Sequence, residues 1–290
     1  MRALLVHNPS AGSGHPTREV LLELLRDAGF SITHSSSDED EFNAALEQGA
    51  DIVIIAGGDG TVAQIARHLP NRKTLLTILP LGTANNIARC LGITGDIETL
   101  VRRLRGAPEK RLDVGIAMGP WGRRYFVESV GWGALAEAVD RSAPRLSREE
   151  RVAHGRKSFA TILSEAKPRP VSFEADGERI EGKFIFVEVL NLGMTGPRML
   201  ISPSAEPGDG LLDVVYLTED RRQAMIDWLR SGAVNHPPLE IRKAQKVTLT
   251  WAHGPMRVDD EVYTAPDEAS DVVIEIEPHG LHVSVPATED

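Results

Sequence analysis

The sequence predicts a chain of two domains, an N-terminal α/β domain and a C-terminal domain of mostly β structure. Residues 1–110 alternate between strand-like and helix-like patterns, which is typical of a doubly wound parallel sheet. The run Ile52-Val53-Ile54-Ile55 is apolar at every position, as expected for a parallel strand covered on both faces. Residues 111–290 contain short strand-like runs between turns, which indicates an antiparallel β-sandwich with a helical insert. We therefore place the domain boundary at residue 110, and we leave open a return of the last strand to the first domain.

Four strands and the helices between them make up the predicted first domain. Thr17 is the expected cap of the first helix, and Asp38 with Glu41 has the spacing of a capping box before the second. Thr61 caps or opens a third helix after a glycine-rich loop. The strands are predicted at residues 3–7, 30–35, 51–56 and 75–79, and two more helices at residues 87–90 and 96–105.

The predicted second domain consists of short strands and two helical stretches. Residues 134–167 look mostly helical with an interruption at Pro144, and residues 220–230 form a further helix. Asp176-Gly177-Glu178 lies between two strand-like runs, so we interpret it as a hairpin turn. The strands are predicted at residues 111–118, 124–130, 171–175, 183–190, 211–217, 246–251, 256–258, 272–276 and 281–285.

The bulk composition excludes several classes of protein. With 32 basic and 42 acidic residues the net charge is −10, which argues against nucleic-acid binding. No apolar run approaches the roughly 18 residues of a transmembrane helix, and the N-terminus lacks a signal-peptide pattern. The one cysteine, Cys90, excludes an internal disulfide and fits a reducing compartment. We expect a cytoplasmic protein without a transmembrane segment.

Three glycine-bearing loops follow strands of the first domain, at residues 8–14, 57–60 and 80–86. Such loops converge on the carboxyl edge of a parallel sheet, where α/β proteins bind ligands. The order strand, glycine loop, helix N-terminus at residues 51–66 favours an anion such as phosphate.

Two common phosphate motifs do not explain this loop. Gly58-x-Gly60-x-x-Ala63 fits the dinucleotide fingerprint, but no acid stands at the end of the next strand for the ribose. The P-loop motif is absent from the sequence. Asp59 would repel phosphate, so it must act through Mg²⁺, orient a polar group or accept a proton.

Five segments in order resemble the diacylglycerol kinase catalytic-domain family, soluble bacterial lipid kinases related to sphingosine kinases and NAD kinases. They are Asn8-Pro9 with its glycine-rich tail, Gly57-Gly58-Asp59-Gly60-Thr61, Pro80-Leu81-Gly82-Thr83-Ala84-Asn85, Gly208-Asp209-Gly210-Leu211-Leu212-Asp213-Val214 and Val258-Asp259-Asp260-Glu261. The segments run from residue 8 to 261, so the resemblance covers nearly the whole chain.

The resemblance implies that the first domain binds ATP and that the second binds substrate and metal. The implied ATP-binding residues are Asn8, Pro9, Ser10, Gly12, Gly14, Ser36, Gly57, Gly58, Asp59, Gly60, Thr61, Val62, Ala63, Thr83 and Asn85. Asp209, the carbonyl of Leu211 and Glu206 form the implied Mg²⁺ site. The γ-phosphoryl group passes to a lipid hydroxyl, for which Asp59 and a base are needed. Asp259 and Glu261 are the candidate bases, expected on one side of a strand.

Four positions depart from the family pattern. Asn86 and Gln64 stand where many members carry a carboxylate, Asp260 replaces a glycine, and Glu128 replaces an asparagine. The first hypothesis is therefore an ATP- and Mg²⁺-dependent lipid kinase. The alternatives are a NAD kinase or other small-molecule kinase, and a nucleotide-binding regulator that has lost catalysis.

Partners are predicted from the charge pattern and the resemblance. A lipid substrate places the enzyme at a membrane surface, peripherally at the inner face, and the sequence leaves the oligomeric state open, a homodimer included. Trp121 and Trp132 either pack in the core or line a lipid pocket. A basic run either docks on anionic headgroups or is a solvated face. It comprises Arg141, Arg145, Arg148, Arg151, Arg156 and Lys157.

Overall fold

A computed structural model describes residues 1–12, 14–36, 38–69, 74–138 and 147–286. The chain forms two compact units. The first comprises Met1–Leu112 together with the last segment of the chain from His279, and the second comprises Asp113–Pro278. The predicted boundary at residue 110 lies close to the end of the first of these segments.

The first unit is built on a parallel sheet, as predicted. Its strands are β1 (Arg2–His7), β2 (Ser31–Ser35), β3 (Ile52–Gly57) and β4 (Leu75–Pro80), in the spatial order β4-β3-β1-β2. Five helices connect them: α1 (Arg18–Asp27), α2 (Glu39–Glu47), α3 (Asp59–Ala66), α4 (Asn86–Cys90) and α5 (Ile97–Arg103). Every residue of β3 is buried, which explains its unbroken apolar run. The α/β class of this part of the chain is confirmed.

The register of the sheet aligns the carboxyl ends of its central strands. His7 is paired with Ala56, and Gly57 is paired with Pro80. The loops that follow β1, β3 and β4 therefore leave the sheet side by side. Helix caps fix two of the connections. Asp38 accepts a hydrogen bond from the Glu41 N–H, which is one half of the predicted capping box, but the Glu41 carboxylate binds the Ser36 hydroxyl instead of the Asp38 N–H. Asp96 caps α5 through Thr99.

The second unit is an antiparallel β-sandwich with helices, and this prediction of the fold class is also confirmed. The elements from residue 109 on are β5 (Glu109–Gly119), β6 (Gly122–Phe126), β7 (Ser129–Gly133), α6 (Ala134–Glu137), α7 (Arg148–Glu165), β8 (Arg169–Ala175), β9 (Glu178–Leu190), β10 (Met194–Thr195), β11 (Met199–Leu200), β12 (Leu212–Thr218), α8 (Arg222–Arg230), β13 (Glu240–Ala244), β14 (Lys246–Trp251), β15 (Met256–Val258), β16 (Glu261–Tyr263) and β17 (Ser270–Ser284). The main strand order is β16-β15-β7-β9-β8-β14-β17, and β12 pairs with both β9 and β13.

Two apolar clusters hold the second unit together. Strand side chains form one cluster, in which Phe173, Phe184 and Tyr216 meet edge to face or tilted. Helices α7 and α8 pack on the sheet through a second cluster that includes Phe159 and Trp228. Both clusters are buried, so the sheet presents a rigid frame for the loops and hairpins at its ends.

The β8–β9 turn is the hairpin that the sequence predicts. Asp176 and Gly177 both have positive φ, the conformation that a two-residue hairpin loop of this kind requires. The Asp176 carboxylate also accepts the backbone N–H groups of Gln245 and Lys246 on the neighbouring strand. The Asp176 carboxylate therefore has a structural use at this turn.

Three predictions about elements were wrong. Residues 124–130, expected to form one strand, are divided between β6 and β7. Residues 272–276 and 281–285 belong to one strand, β17, although Pro278 and Gly280 lie inside it. Helix α3 begins at Asp59, two residues before the predicted start at Thr61. The predicted interruption at Pro144 lies outside the described residues.

Candidate active site

The loop after β1 is tied to the glycine loop after β3. Asn8 donates from Nδ2 to the Thr61 Oγ1 over 2.8 Å, and its own Oδ1 accepts the Ser10 N–H at 2.9 Å. Gly12 and Gly14 have φ of 61° and 74°, a region that other residues adopt with strain. The loop thus turns back over the sheet edge, with Asn8 holding it against the first turn of α3.

The glycines of the second loop allow two loop backbones to meet. A Cβ on Gly57 would lie 2.7 Å from the Thr61 side chain, and a Cβ on Gly82 would lie 2.5 Å from the Gly58 Cα. Gly58 itself has φ −97°, so a positive φ is not what requires glycine there. The backbone that approaches Gly58 closely is that of the neighbouring loop at residues 80–86.

Asp59 joins these same two loops through its side chain. Its Oδ1 accepts the Ile87 N–H of α4 over 3.0 Å, and the backbone N–H groups of Asn85 and Asn86 also act on this carboxyl. Burial raises the pKa of Asp59, and these N–H groups oppose the shift. Of the three roles considered for Asp59, orienting a polar group is the one that this geometry favours.

Asn85 presents a buried acceptor at the same edge. It has a left-handed conformation, φ 55°, and its Nδ2 donates to the carbonyls of Pro80 and Gly82. Its Oδ1 has no hydrogen-bond partner among the described residues, and the residue is 6% exposed. An acceptor left unpaired in this way suits a hydroxyl or amino group of a ligand rather than a phosphate oxygen.

The remaining predicted nucleotide residues contribute in different ways. The Ser36 hydroxyl donates to Glu41 Oε2 and accepts the Asp38 N–H, so it takes part in the cap of α2. The side chains of Val62 and Ala63 are buried in the core, so these residues contribute only backbone atoms to the N-terminal part of α3. Pro9 and Ser10 are exposed beside the loop, and Thr83 is partly exposed. The first-turn N–H groups of α3 lack intrahelical acceptors, as at the start of any α-helix.

In the second unit, the Asp259 side chain is bound to backbone N–H groups. Its carboxylate accepts the N–H groups of Val127, Glu128 and Ser129 at 3.0, 2.8 and 3.2 Å. The residue is 5% exposed and has φ 51°. It occupies a two-residue loop between β15 and β16, where Val258 is paired with Glu261. The expected placement of Asp259 and Glu261 on one side of a strand was therefore wrong.

Glu261 is one of two accessible carboxylates of this hairpin, the other being the exposed Asp260. Its Oε2 accepts the Tyr263 hydroxyl over 2.5 Å and lies 3.7 Å from the Arg124 Nε. The side chain is 41% exposed. Tyr263 in turn stacks on Trp121, with ring centroids 4.4 Å apart. Burial, the hydrogen bond to Glu261 and the Glu261 charge all raise the pKa of Tyr263.

A buried ionic cluster beneath this hairpin was missed by the sequence analysis. The Arg257 guanidinium is 4% exposed and contacts Glu188 directly, while Glu128 lies 3.9 Å away. Burial alone would lower the pKa of Arg257, but the two carboxylates raise it. Arg257 also donates to the Asp259 carbonyl at 2.6 Å, which fixes the hairpin loop. The only sequence signal was the unusual Glu128, whose carboxylate balances this guanidinium.

The predicted Mg²⁺ residues do not fit a divalent cation. Asp209 Oδ2 lies 2.7 Å from the ammonium of Lys243, and Oδ1 accepts the Leu211 N–H at 3.0 Å. Glu206 is one turn earlier and raises the pKa of Lys243 after the larger effects of Asp209 and Asp213. Within the described part of the chain, no group of three or more acidic, histidine or cysteine side chains could hold a metal ion. Both oxygens of the expected principal ligand are thus engaged by protein donors.

A cavity of about 330 Å³ lies between α7 and the sheet of the second unit. Trp132, Ala134, Ile162 and Ile185 give it an apolar wall. Glu137, Glu165, Lys167 and Arg169 provide polar groups in its lining. Trp132 is buried in the core and also lines this cavity, whereas Trp121 packs on Tyr263 and Trp251.

The basic run of α7 is used in part for internal contacts. Arg156 donates to the carbonyls of Pro197, Arg198 and Gly232. Glu149 on the same helix pairs with Arg198 at 2.8 Å. Arg141 and Arg145 lie outside the described residues. Among the described residues, no helix is both long enough and apolar enough to pass through a bilayer.

The chain thus combines two kinds of unit. The first is an α/β unit whose glycine loops are linked at the edge of the sheet, and the second is an antiparallel sandwich in which Glu261 is exposed. Residues 2–117 match the family described as the diacylglycerol kinase catalytic domain. Residues 129–285, more than half of the chain, match the YegS C-terminal NAD kinase beta sandwich-like domain. The chain belongs to the diacylglycerol kinase family, and it is a phosphotransferase with an alcohol acceptor.

Individual relatives agree with this assignment. A diacylglycerol kinase of Bacillus subtilis strain 168 is 27% identical over 264 residues, covering 86% of this chain and 85% of the relative. One from Staphylococcus saprophyticus is 27% identical over 267 residues, with the same coverage. The fold is that of a diacylglycerol kinase structure from Bacillus anthracis strain Sterne, with a TM-score of 0.74 at 21% identity, covering 98% of this chain and 96% of that one. Family membership supports a lipid kinase that uses a nucleotide.

Proposed function

We propose that this protein is an ATP-dependent lipid kinase that transfers the γ-phosphoryl group to the hydroxyl of a diacylglycerol-like lipid. The observation that carries the proposal is the linked sheet edge of the first unit. There Asn8, Gly58 and Asp59 bind the loops after β1, β3 and β4 to one another around the N-terminus of α3.

The nucleotide is proposed to bind along this edge. The phosphates take the N–H groups of the first turn of α3, where the helix dipole also favours negative charge. The unpaired Asn85 Oδ1 accepts a hydrogen bond from a ribose hydroxyl or from the adenine amino group. Asp59 positions α4 and the loop before it, and does not contact phosphate. Phosphoryl transfer depends mostly on such positioning.

Glu261 is the proposed general base. It is exposed, it has one short hydrogen bond to Tyr263, and it can accept the proton of the acceptor hydroxyl as that oxygen attacks phosphorus. Asp259 holds the hairpin that carries it. ATP enters as its Mg²⁺ complex, so the cation belongs to the substrate, and no step is assigned to an ion at Asp209.

The acceptor is proposed to place its apolar part in the cavity lined by Trp132, Ile162 and Ile185. A volume of about 330 Å³ is at the lower end of that of small-molecule sites, and it can hold part of an acyl chain. The kinase would then work in the cytoplasm at the inner membrane face, where such lipids are presented.

The test is phosphorylation of a total lipid extract with radiolabelled ATP, with the product identified by mass. Glu261→Gln should lower turnover by about 10²–10⁴-fold, the usual contribution of a positioned base. Glu268→Gln, which removes an exposed carboxylate further along the chain, is the matched control and should leave turnover unchanged. A Glu261→Gln enzyme of normal activity would refute the proposed mechanism.

The same assay separates the alternatives. Transfer to NAD and to no lipid would establish a NAD kinase instead. ATP binding without transfer to any lipid alcohol would establish a regulator, the hypothesis that Gln64 and Asn86 suggested.

A further inference from the structure

We propose that the ammonium group of Lys243 takes the place of a divalent cation between Asp209 and Asp213, so that these two carboxylates bind no metal ion. The inference concerns the second unit alone, and it does not depend on which acceptor the enzyme phosphorylates.

Strand pairing puts the lysine there. Lys243 on β13 is the direct cross-strand partner of Asp213 on β12. Asp209 lies in the turn that leads into β12, so both carboxylates are within reach of one side chain. The Lys243 Nζ is 2.7 Å from Asp209 Oδ2 and 3.9 Å from Asp213 Oδ2. Because the register fixes the Cα positions, the contact follows from the sheet itself.

The two carboxylates have few lone pairs left for a metal. Asp209 Oδ1 accepts the Leu211 N–H, and Asp213 Oδ1 accepts the hydroxyls of Ser202 and Ser204 at 2.7 and 3.2 Å. Only the Oδ2 atoms face the ammonium. Asp213 has a side chain 2% exposed, and such a buried carboxylate needs a partner of positive charge or strong donors.

The chemistry of the two cations explains why they exclude each other. Mg²⁺ requires an octahedron of oxygens at about 2.0–2.1 Å and parts with its water reluctantly. An ammonium group needs only two or three acceptors near 2.8 Å. Lys243 is covalently held beside the carboxylates, so its effective concentration is far above that of free Mg²⁺. A metal ion bound at the same carboxylate oxygens would be repelled by the positive charge of the Lys243 ammonium group.

The experiment measures Mn²⁺ binding to the nucleotide-free protein by electron paramagnetic resonance of the free ion. Wild type should show no saturable binding up to about 1 mM, the range of weak oxygen sites. Lys243→Met, which retains most of the side-chain length without the charge, should gain one saturable site. Asp209→Asn placed in the Lys243→Met background should abolish that site.

Lys246→Met is the matched control. Lys246 also pairs across strands with a carboxylate, Glu275 at 2.8 Å, and its side chain is more exposed than that of Lys243, 56% against 34%. This variant should bind no Mn²⁺, which shows that loss of a lysine charge alone creates no site.

Two results would overturn the proposal. Saturable Mn²⁺ binding by wild type that Asp209→Asn removes would mean that the ion displaces the lysine. A folded Lys243→Met protein without a Mn²⁺ site would mean that the carboxylates are not arranged for a cation, and that Lys243 replaces nothing. If the variant fails to fold, the wild-type titration still tests whether the site binds a metal ion. Lipid phosphorylation is not part of the readout, so failure here is distinct from failure of the proposed function.

Discussion

A carboxylate that accepts several backbone N–H groups is committed to structure, and Asp259 is such a residue. Its three donors come from residues 127–129, more than a hundred positions earlier in the chain. A sequence motif cannot reveal that partnership, and the Asp-x-Glu spacing alone made Asp259 and Glu261 look equivalent. Their exposures, 5% for Asp259 and 41% for the Glu261 side chain, separate them.

Asp259→Ala should reduce the free energy of unfolding by about 3–4 kcal/mol. The change leaves three buried N–H groups without an acceptor. It also places alanine at φ 51°, and this strained backbone conformation accounts for part of the loss of about 3–4 kcal/mol. Asp259→Asn should cost only about 1–2 kcal/mol, because asparagine tolerates this φ and retains one acceptor oxygen. Urea denaturation of the two variants measures the difference. Equal stability of wild type and Asp259→Ala would show that the N–H groups find other partners.

Asp59 gives a second test at this scale, with stability and activity separated. Asp59→Asn keeps an acceptor for the Ile87 N–H, so the loss in the free energy of unfolding should stay below about 1 kcal/mol. Turnover in the lipid assay should nevertheless fall by more than tenfold, because the amide weakens the hold on α4 and its preceding loop. Circular dichroism and urea denaturation report the fold. A fully active Asp59→Asn enzyme would contradict the positioning role.

At the scale of elements, the strands and helices of the first unit followed closely from periodicity and caps. The second unit was harder, because its pairings are long-range. Strand β17 was divided into two by the Pro278 and Gly280 signals, yet it runs for 15 residues. The short β16 was not predicted, because its three residues form a strand by pairing with β15 and carry little strand signal of their own.

The ionic cluster between β7, β9 and β15 makes a pH-dependent prediction. Burial raises the pKa of Glu188 above its ordinary value of 4.5, and Arg257 opposes the shift. At pH values between 4.5 and the pKa of Glu188 in the folded chain, Glu188 is mostly protonated in the folded chain and mostly ionised in the unfolded chain. Glu188 therefore makes the protein less stable as pH rises through this window.

Arg257→Met should widen the window by removing the opposing charge. The cost in the free energy of unfolding should reach about 3–5 kcal/mol at pH 8, where Glu188 is left ionised and unpaired. It should be smaller at pH 5, where the buried glutamate can take up a proton. Chemical denaturation at both pH values tests this, and the double variant Arg257→Met/Glu188→Gln should show much less pH dependence. An equal cost at both pH values would exclude the pairing as the cause.

For the whole molecule, the order of motifs along the chain predicted the family and the two fold classes. It did not show that Lys243 is close to Asp209, since that depends on the register of β12 and β13. Short sequence motifs therefore do not predict which charged side chains on distant strands lie next to each other. The proposed base and the proposed metal-free site both rest on such relations.

The end of the chain adds a strand to the first unit. In β17, His282 and Val283 pair in parallel with Leu75 and Leu76 of β4. The buried Thr77 hydroxyl donates to the Ser284 carbonyl at 2.9 Å, and the Val285 N–H donates to the Pro108 carbonyl at 2.9 Å. The first unit is therefore completed by residues that follow the whole second unit in sequence.

Val283→Asp should unfold the first unit selectively. Val283 is 0% exposed, and a buried unpaired carboxylate beside β4 costs several kcal/mol. The core of the second unit draws on β17 through Val272, Ile274 and Ile276, which precede the part of β17 that belongs to the first unit, so it should persist. Hydrogen exchange by mass spectrometry should show lost protection in β1, β3 and β4 with protection kept in β9 and β12. Loss of protection in both units together would mean that they fold as one cooperative body, and that the last strand stabilises the entire chain.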